Sequence, residues 1–262
     1  MNPASRRARR SLMSLWRSAT KRAIKVAGDG TPLGLVLYEG PSELDGQPIV
    51  VIATGLGRSS KNEKTGDMVQ VWILRSDIAP HHAVRSGADV SVCGDCKHRG
   101  TTCYVVTFQG PREVWAAYKR GRYLRVSYPE AMAYLAGARV RFGAYGDPSA
   151  APLPIWQAIA SVASGWTGYT HQWRHLDGRW HDLVMASVDS PSEYLRAKSA
   201  GWRAFLVQAE GAAPIEGTRR CPAISHGMEC ADCRACDGTA RGARRPDIAI
   251  EVHGSGAASF AA

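Results

Sequence analysis

Ala138-Arg139-Val140-Arg141-Phe142-Gly143-Ala144-Tyr145, closed by Gly146-Asp147-Pro148, is the stretch whose reading decides the fold. Its apolar residues run into a Gly-Asp-Pro turn, which predicts a β-strand with a sharp end. Leu153 to Ala163 follows with Ile155, Ile159 and Val162 on one side, the spacing of a helix. Trp166 to Gln172 predicts a strand, Leu183 to Val188 another that ends at Asp189, and Arg203 to Gln208 a further one. Between the last two, Pro191 to Ala200 predicts a helix, with Ser190 as N-cap and Gly201 as its stop. Strands and helices alternating through short connections imply parallel strands joined by right-handed crossovers, hence an α/β sheet or barrel. In such folds ligands gather where loops leave the C-terminal ends of strands. Cys93 to Cys103, Gly146-Asp147, Thr170-His171 and Ser187 to Asp189 all occupy that kind of position.

Toward the N-terminus, Leu33 to Tyr38 and Ile49 to Thr54 predict short strands separated by Asp45-Gly46-Gln47-Pro48. Met68 to Leu74 is a third strand, Pro80 opens a short helix, and Pro111 to Tyr118 is a helix with Pro at its first turn. His81 and His82 are adjacent on a helix and diverge, so they predict surface residues and not a chelating pair. Gly55 to Gly66 is glycine-rich and basic, but Glu63 precedes Lys64 and a strand follows. It therefore departs from a phosphate-binding loop and reads as a solvated loop that covers the site. Ile248 to Val252 predicts a closing strand. The expected organisation is a basic leader over 1–28, an α/β domain over 29–210, and a cysteine-rich extension and tail over 211–262.

The net charge of +10 is concentrated in that leader. Arg6, Arg7, Arg9, Arg10, Arg17, Lys21, Arg22 and Lys25 all precede the first acid, Asp29, and leave about +2 for the rest. The leader reads either as a phosphate-contacting arm or as a solvated segment; the body does not read as a DNA-binding domain. No run of about 18 apolar residues is present, and Ser11 to Trp16 is too short for a secretory core, so no membrane association and a cytoplasmic setting are expected. In a reducing compartment, seven cysteines are an improbable disulfide framework and a natural set of metal ligands.

The seven fall into two groups. Cys221, Cys230, Cys233 and Cys236 supply four thiolates, a complete set for tetrahedral zinc or for a [4Fe–4S] cluster. Cys93, Cys96 and Cys103 supply three. Either His98 completes a structural zinc site, or the fourth position stays open on an iron–sulfur cluster, where S-adenosylmethionine chelates through its amino and carboxylate groups.

With those residues in view, the stretch from Met68 to Gln208 resembles the radical S-adenosylmethionine superfamily. In that family three cysteines follow the first barrel strand, and the second strand ends in a Gly-Gly-Glu-Pro-like motif. Here Tyr145-Gly146-Asp147-Pro148 stands in that place, with Asp for Glu, and the cysteine spacing is two then six residues where the family has three then two. The resemblance implies a partial, radical-SAM-like parallel (β/α) barrel with a small cysteine-rich C-terminal extension. It implies cofactor contacts from Gly146, Asp147, Ser187 and Asp189, an open-site and an auxiliary [4Fe–4S] cluster, S-adenosylmethionine, and a reductase or flavodoxin-like electron donor. The chain is also similar to cysteine-rich bacteriophage proteins of the gene-product-88 type, through Asn62 to Gly66, Cys103-Tyr104, Gly146-Asp147, Tyr169-Thr170 and the terminal cysteines. That likeness implies a phage origin and a bacterial host cytoplasm, with a nucleotide or nucleic-acid base as the guessed substrate.

Other enzyme templates are missing: no Gly-x-Ser-x-Gly, no His-Glu-x-x-His and no Gly-x-Gly-x-x-Gly after a strand. Tyr169, Thr170, His171 and Trp173 are either pocket lining or core. Two functions are expected to compete: a radical enzyme, or a non-catalytic protein stapled by two zinc sites with a nucleic-acid-contacting leader.

Overall fold

The structure is a computed structural model, and it describes residues 30–56, 64–213, 215–242, 244–254 and 257–260. The basic leader, Asn62 and most of the glycine-rich loop expected to cover the site lie outside the described residues. Strands β1 (Gly34–Pro41), β2 (Pro48–Thr54) and β3 (Val69–Arg75) pair antiparallel in sequence order. Ile49 to Ala53 are wholly buried, so this apolar run forms an interior strand. The β1–β2 turn is set by the Asp45 carboxylate, which accepts from the Gln47 N–H, and by Gly46 at φ 74°.

From β3 onward the strands run parallel. Helices α1 (Pro80–Ser86), α2 (Val90–Cys93) and α3 (Gly110–Lys119) lead to a short β4 (Leu124–Arg125), which returns to pair with β1. Helix α4 (Tyr128–Leu135) was not expected from periodicity. Its signal is a capping arrangement, with the Glu130 carboxylate accepting from the Ser127 N–H at 3.1 Å and Pro129 in the first turn. Strand β5 (Arg139–Tyr145), helix α5 (Leu153–Val162), β6 (Gly165–Thr167), β7 (Tyr169–Thr170), β8 (Met185–Val188), α6 (Pro191–Ser199) and β9 (Ala204–Gln208) follow the expected alternation. The C-terminal part adds β10 (Thr218–Arg220), short helices α7 (Pro222–Ser225) and α8 (Cys230–Cys233), and β11 (Asp247–Glu251).

Among the described residues two sheets result, a six-stranded one ordered β4-β1-β2-β3-β5-β6 and a five-stranded one ordered β10-β11-β9-β8-β7. The single strand expected over Trp166 to Gln172 is split at Gly168, with β6 pairing to β5 and β7 to β8. A side chain at Gly168 would meet Val184 at 2.8 Å and Phe142 at 3.1 Å, so glycine lets the chain pass closely from one sheet to the other.

The mixed α/β organisation with parallel strands is therefore present, but among the described residues the strands do not close into a barrel. The antiparallel β1–β2 pair occupies the free edge of β3, where a closing parallel strand would have to bind. Along β5, Val140, Phe142 and Ala144 face the buried core, where Phe142 packs on Trp156 of α5. Arg139 and Arg141 alternate onto the opposite face, and beyond them Gly143 at φ 68° and a register shift against β3 break the alternation, leaving Tyr145 buried in the core as well. No helix among the described residues is long and apolar enough to cross a membrane.

Candidate metal and cofactor site

Cys93 is the last residue of α2, and Gly94 ends that helix at φ 59°. The loop then folds on itself: Cys96 N–H donates to the Cys93 carbonyl at 3.3 Å, and Cys103 N–H to the His98 carbonyl at 3.0 Å. It is tied to neighbouring strand ends as well. The Gln172 amide donates to the Cys93 carbonyl at 3.3 Å, and Asp147 N–H donates to the Val92 carbonyl at 2.6 Å. The three thiols thus lie over the C-terminal ends of the parallel strands.

Burial raises the Cys93 thiol pKa well above its ordinary value, and neighbouring Cys96, Cys103, Asp89 and Asp147 add to the rise. Cys96 is pushed up to about 12, by burial first, with Cys103, Asp147 and Asp189 contributing. Cys103 is raised by burial and by Asp89. Sulfurs placed in one another's field and beside carboxylates are costly as bare thiolates and suited to a bound cation.

The cofactor-contact residues named from sequence converge here. Gly146 has φ 86°, and a side chain on it would meet Ile73 at 2.7 Å, so only glycine lets β5 turn this close to β3. The Asp147 carboxylate is buried and committed. Its Oδ1 accepts from Ser149 N–H (3.0 Å), Ser149 Oγ (2.8 Å) and Thr170 Oγ1 (2.8 Å), and its Oδ2 from His171 N–H (2.8 Å). Asp147 thereby clamps the ends of β5 and β7 together. Ser187 is buried on β8, where its carbonyl accepts from the Trp173 indole at 3.1 Å.

Asp189 is buried at the end of β8. Its Oδ1 faces His98 Nε2 at 2.8 Å, and its Oδ2 faces Lys97 Nζ at 3.6 Å and His171 Nε2 at 3.8 Å. Burial acts to raise the Asp189 pKa, but the His98 hydrogen bond, His171 and Lys97 outweigh it and hold the carboxyl below its ordinary value. Burial lowers the His171 pKa despite the two carboxylates nearby, which favours the neutral ring. The other nitrogen of His98, Nδ1, lies 2.5 Å from Thr102 Oγ1. Both His98 nitrogens are therefore engaged away from the thiols.

The four C-terminal thiols line one cavity with Thr167, Tyr169, Met228 and Ile248. Three of the four are pinned to the scaffold through their backbones. Cys221 N–H donates to the Ala249 carbonyl (2.8 Å), Cys230 N–H to the Lys64 carbonyl (2.8 Å), and Gly168 N–H to the Cys236 carbonyl (2.9 Å). Arg234, at φ 46°, turns the chain after α8 so that Cys236 comes back toward Tyr169. Burial raises the Cys236 thiol pKa, and the neighbouring Tyr169 hydroxyl acts to lower it. Arg141 stands between the two thiol sets, its guanidinium bonded to the Tyr104 hydroxyl and in the field of Cys230.

Among the described residues, His98, His171 and Asp189 form the one group of three His, Cys, Asp or Glu ligand atoms lying within 4.8 Å of one another. The sequence placed all three in strand-end stretches where ligands gather, but gave each a different role and did not join them as one ligand set. His98 and Asp189 are 91 positions apart, and only the strand order makes them neighbours. No set of three thiol sulfurs comes as close. No protein-family model, curated protein or solved structure matches the chain.

Proposed function

We propose that this chain is an iron–sulfur enzyme of the radical S-adenosylmethionine kind, with Cys93, Cys96 and Cys103 holding an open-site [4Fe–4S] cluster. Cys221, Cys230, Cys233 and Cys236 hold an auxiliary cluster. The observation that carries this reading is the arrangement of the first thiol set. Three half-buried cysteines share one loop over the strand ends, while His98, the loop's other strong ligand, is bonded to Asp189 and Thr102.

The parallel strands, β3-β5-β6 in one sheet and β7-β8-β9 in the other, are the feature of the fold that relates it to the partial barrel of that superfamily.

When bound, the cluster supplies one electron to cleave the sulfonium bond of S-adenosylmethionine. The chain's own residues would hold the cofactor through the close backbone turn at Gly146 and the buried Ser187 on β8. Asp147 fixes the spacing of the strand ends, and Asp189 orients the cysteine loop through His98.

Purification without oxygen, with iron, sulfide and zinc measured, tests this. Iron and sulfide are expected, and incubation with S-adenosylmethionine and a strong reductant should release 5′-deoxyadenosine. Cys93→Ala should abolish the release, whereas Cys233→Ala should leave some. A colourless protein with about two zinc ions and no iron would overturn the proposal.

A further inference from the structure

We infer that His98, His171 and Asp189 form a second, thiol-free site for a first-row divalent cation beside the cysteine loop. This goes beyond the proposed cluster, since it uses neither sulfur nor S-adenosylmethionine. Two imidazoles and one carboxylate are the ligand set that such cations take when other coordination positions are to stay open.

The ligand atoms are already gathered, all within 4.8 Å of one another. His171 Nε2 is buried with no hydrogen-bond partner and lies 3.8 Å from Asp189 Oδ2. A buried polar atom left in that state costs stability unless something binds it, and a cation shared with Asp189 would do so.

The supporting contacts are those of a metal site. His98 Nδ1 is held by Thr102 Oγ1, which fixes the ring so that Nε2 points at Asp189. His171 is held through its backbone, whose N–H donates to Asp147 Oδ2 at 2.8 Å. Asp189 is held the same way, its N–H donating to Glu193 Oε2 at 2.9 Å. Phe260 stacks on the His98 ring with centroids 5.8 Å apart and screens that side from water. One competing charge is present: Lys97 Nζ sits 3.6 Å from Asp189 Oδ2. Lys97 is half in solvent, so its flexible side chain can swing out when a cation enters.

Manganese(II) is the probe, because it is a hard cation that avoids thiolates. The full chain, stripped with chelator and kept reduced, is titrated with manganese(II) and followed by electron paramagnetic resonance. One bound ion per chain is expected. His171→Ala and Asp189→Asn should weaken it at least about tenfold, and Thr102→Val by roughly tenfold, the usual cost of losing an outer-shell partner. Thr102→Val serves also as the variant that keeps both ring ligands should His171→Ala fail to fold. Cys93→Ser should leave the binding unchanged, which separates this site from the cluster. No bound manganese, or binding indifferent to both His171→Ala and Thr102→Val, would overturn the inference. Loss of binding in Cys93→Ser alone would overturn it too, by moving the ion to the thiols.

Discussion

His98 Nε2 lies 2.8 Å from Asp189 Oδ1, joining the cysteine loop to the end of β8 across 91 positions of sequence. Asp189 is almost fully buried, so the contact fixes the loop to the sheet and not merely to another loop. In metal-free protein, His98→Ala is expected to free the loop and leave the Asp189 carboxylate underbonded. The loss of stability should be about 1–3 kcal/mol, read by urea denaturation. Amide exchange should speed up over residues 94–103 and stay unchanged in β2.

Asp147 accepts four hydrogen bonds, two from Ser149 just past β5, one from Thr170 at the end of β7 and one from His171 after it. Asp147→Ala removes the acceptor and leaves buried donors at Ser149 and Thr170. A loss of about 3 kcal/mol is expected, with Asp147→Asn falling between it and the wild type, both read by urea denaturation.

Gly146 and Gly87 separate close packing from backbone strain. Both have positive φ, 86° and 77°, but a side chain at Gly87 meets nothing within 4 Å whereas one at Gly146 meets Ile73 at 2.7 Å. Gly87→Ala should cost about 1–2 kcal/mol for the left-handed backbone alone. Gly146→Ala should cost at least about 1 kcal/mol more, since the Ile73 carbonyl is also 2.7 Å away and is backbone. Equal Tm losses in the two variants would contradict this account.

Arg203 fastens the C-terminal thiol set to β9. It is 1% exposed, and it donates to the carbonyls of Ala235 (3.0 Å), Gly238 (2.6 Å) and Pro246 (2.7 Å) and to Asp237 (3.3 Å). Arg203→Met leaves those carbonyls unpaired, although Arg241 and Arg245 still face Asp237. A loss of about 3 kcal/mol or more is expected. Metal content should fall by the share of the Cys221–Cys236 set while the Cys93 set keeps its own.

The Tyr118 hydroxyl donates to Glu39 at 2.5 Å, linking α3 to β1, and Arg125 adds an ion pair. This hydrogen bond, foremost among the favourable contacts, holds the Glu39 pKa below its ordinary 4.5. A lowered carboxyl pKa stabilises the fold above 4.5 and loses that contribution as pH falls through the folded value. Tyr118 is raised from 10.0 to about 12, by burial first and then by Glu39. A raised phenol pKa stabilises below pH 10.0 and loses that contribution as pH rises toward about 12. In urea titrations across pH, Glu39→Gln should flatten the acid limb. Tyr118→Phe should flatten both limbs.

Much of the fold was legible because strand and helix periods are local properties. The runs at Ile49 to Ala53 and Arg139 to Tyr145, the helix at Leu153 and the capped helix after Ser190 lie where their patterns put them. Helix α4 escaped because its apolar face is short, with Ser127 and Glu130 its clearest marks. Closure into a barrel was beyond the pattern, since nothing in β1 or β2 announces that β2 will take the outer edge of β3 antiparallel. The break at Gly168 was equally hidden: an isolated glycine in a strand does not say which neighbours crowd it.

The sequence by itself determined the α/β class, the division of seven thiols into three and four, and the strand ends at which Gly146, Asp147 and Asp189 stand. Those follow from spacing, residue type and turn chemistry, each local to a few residues. Only the tertiary structure decided what these groups meet. It spent the Asp147 carboxylate on four protein donors, turned His98 from the thiols toward Asp189, and brought His171 to the same carboxylate. The physical reason is that parallel strands joined by long crossovers bring their C-terminal ends side by side in an order set by sheet pairing. Residues scores of positions apart then share one buried, low-dielectric space, where every charge must find a partner.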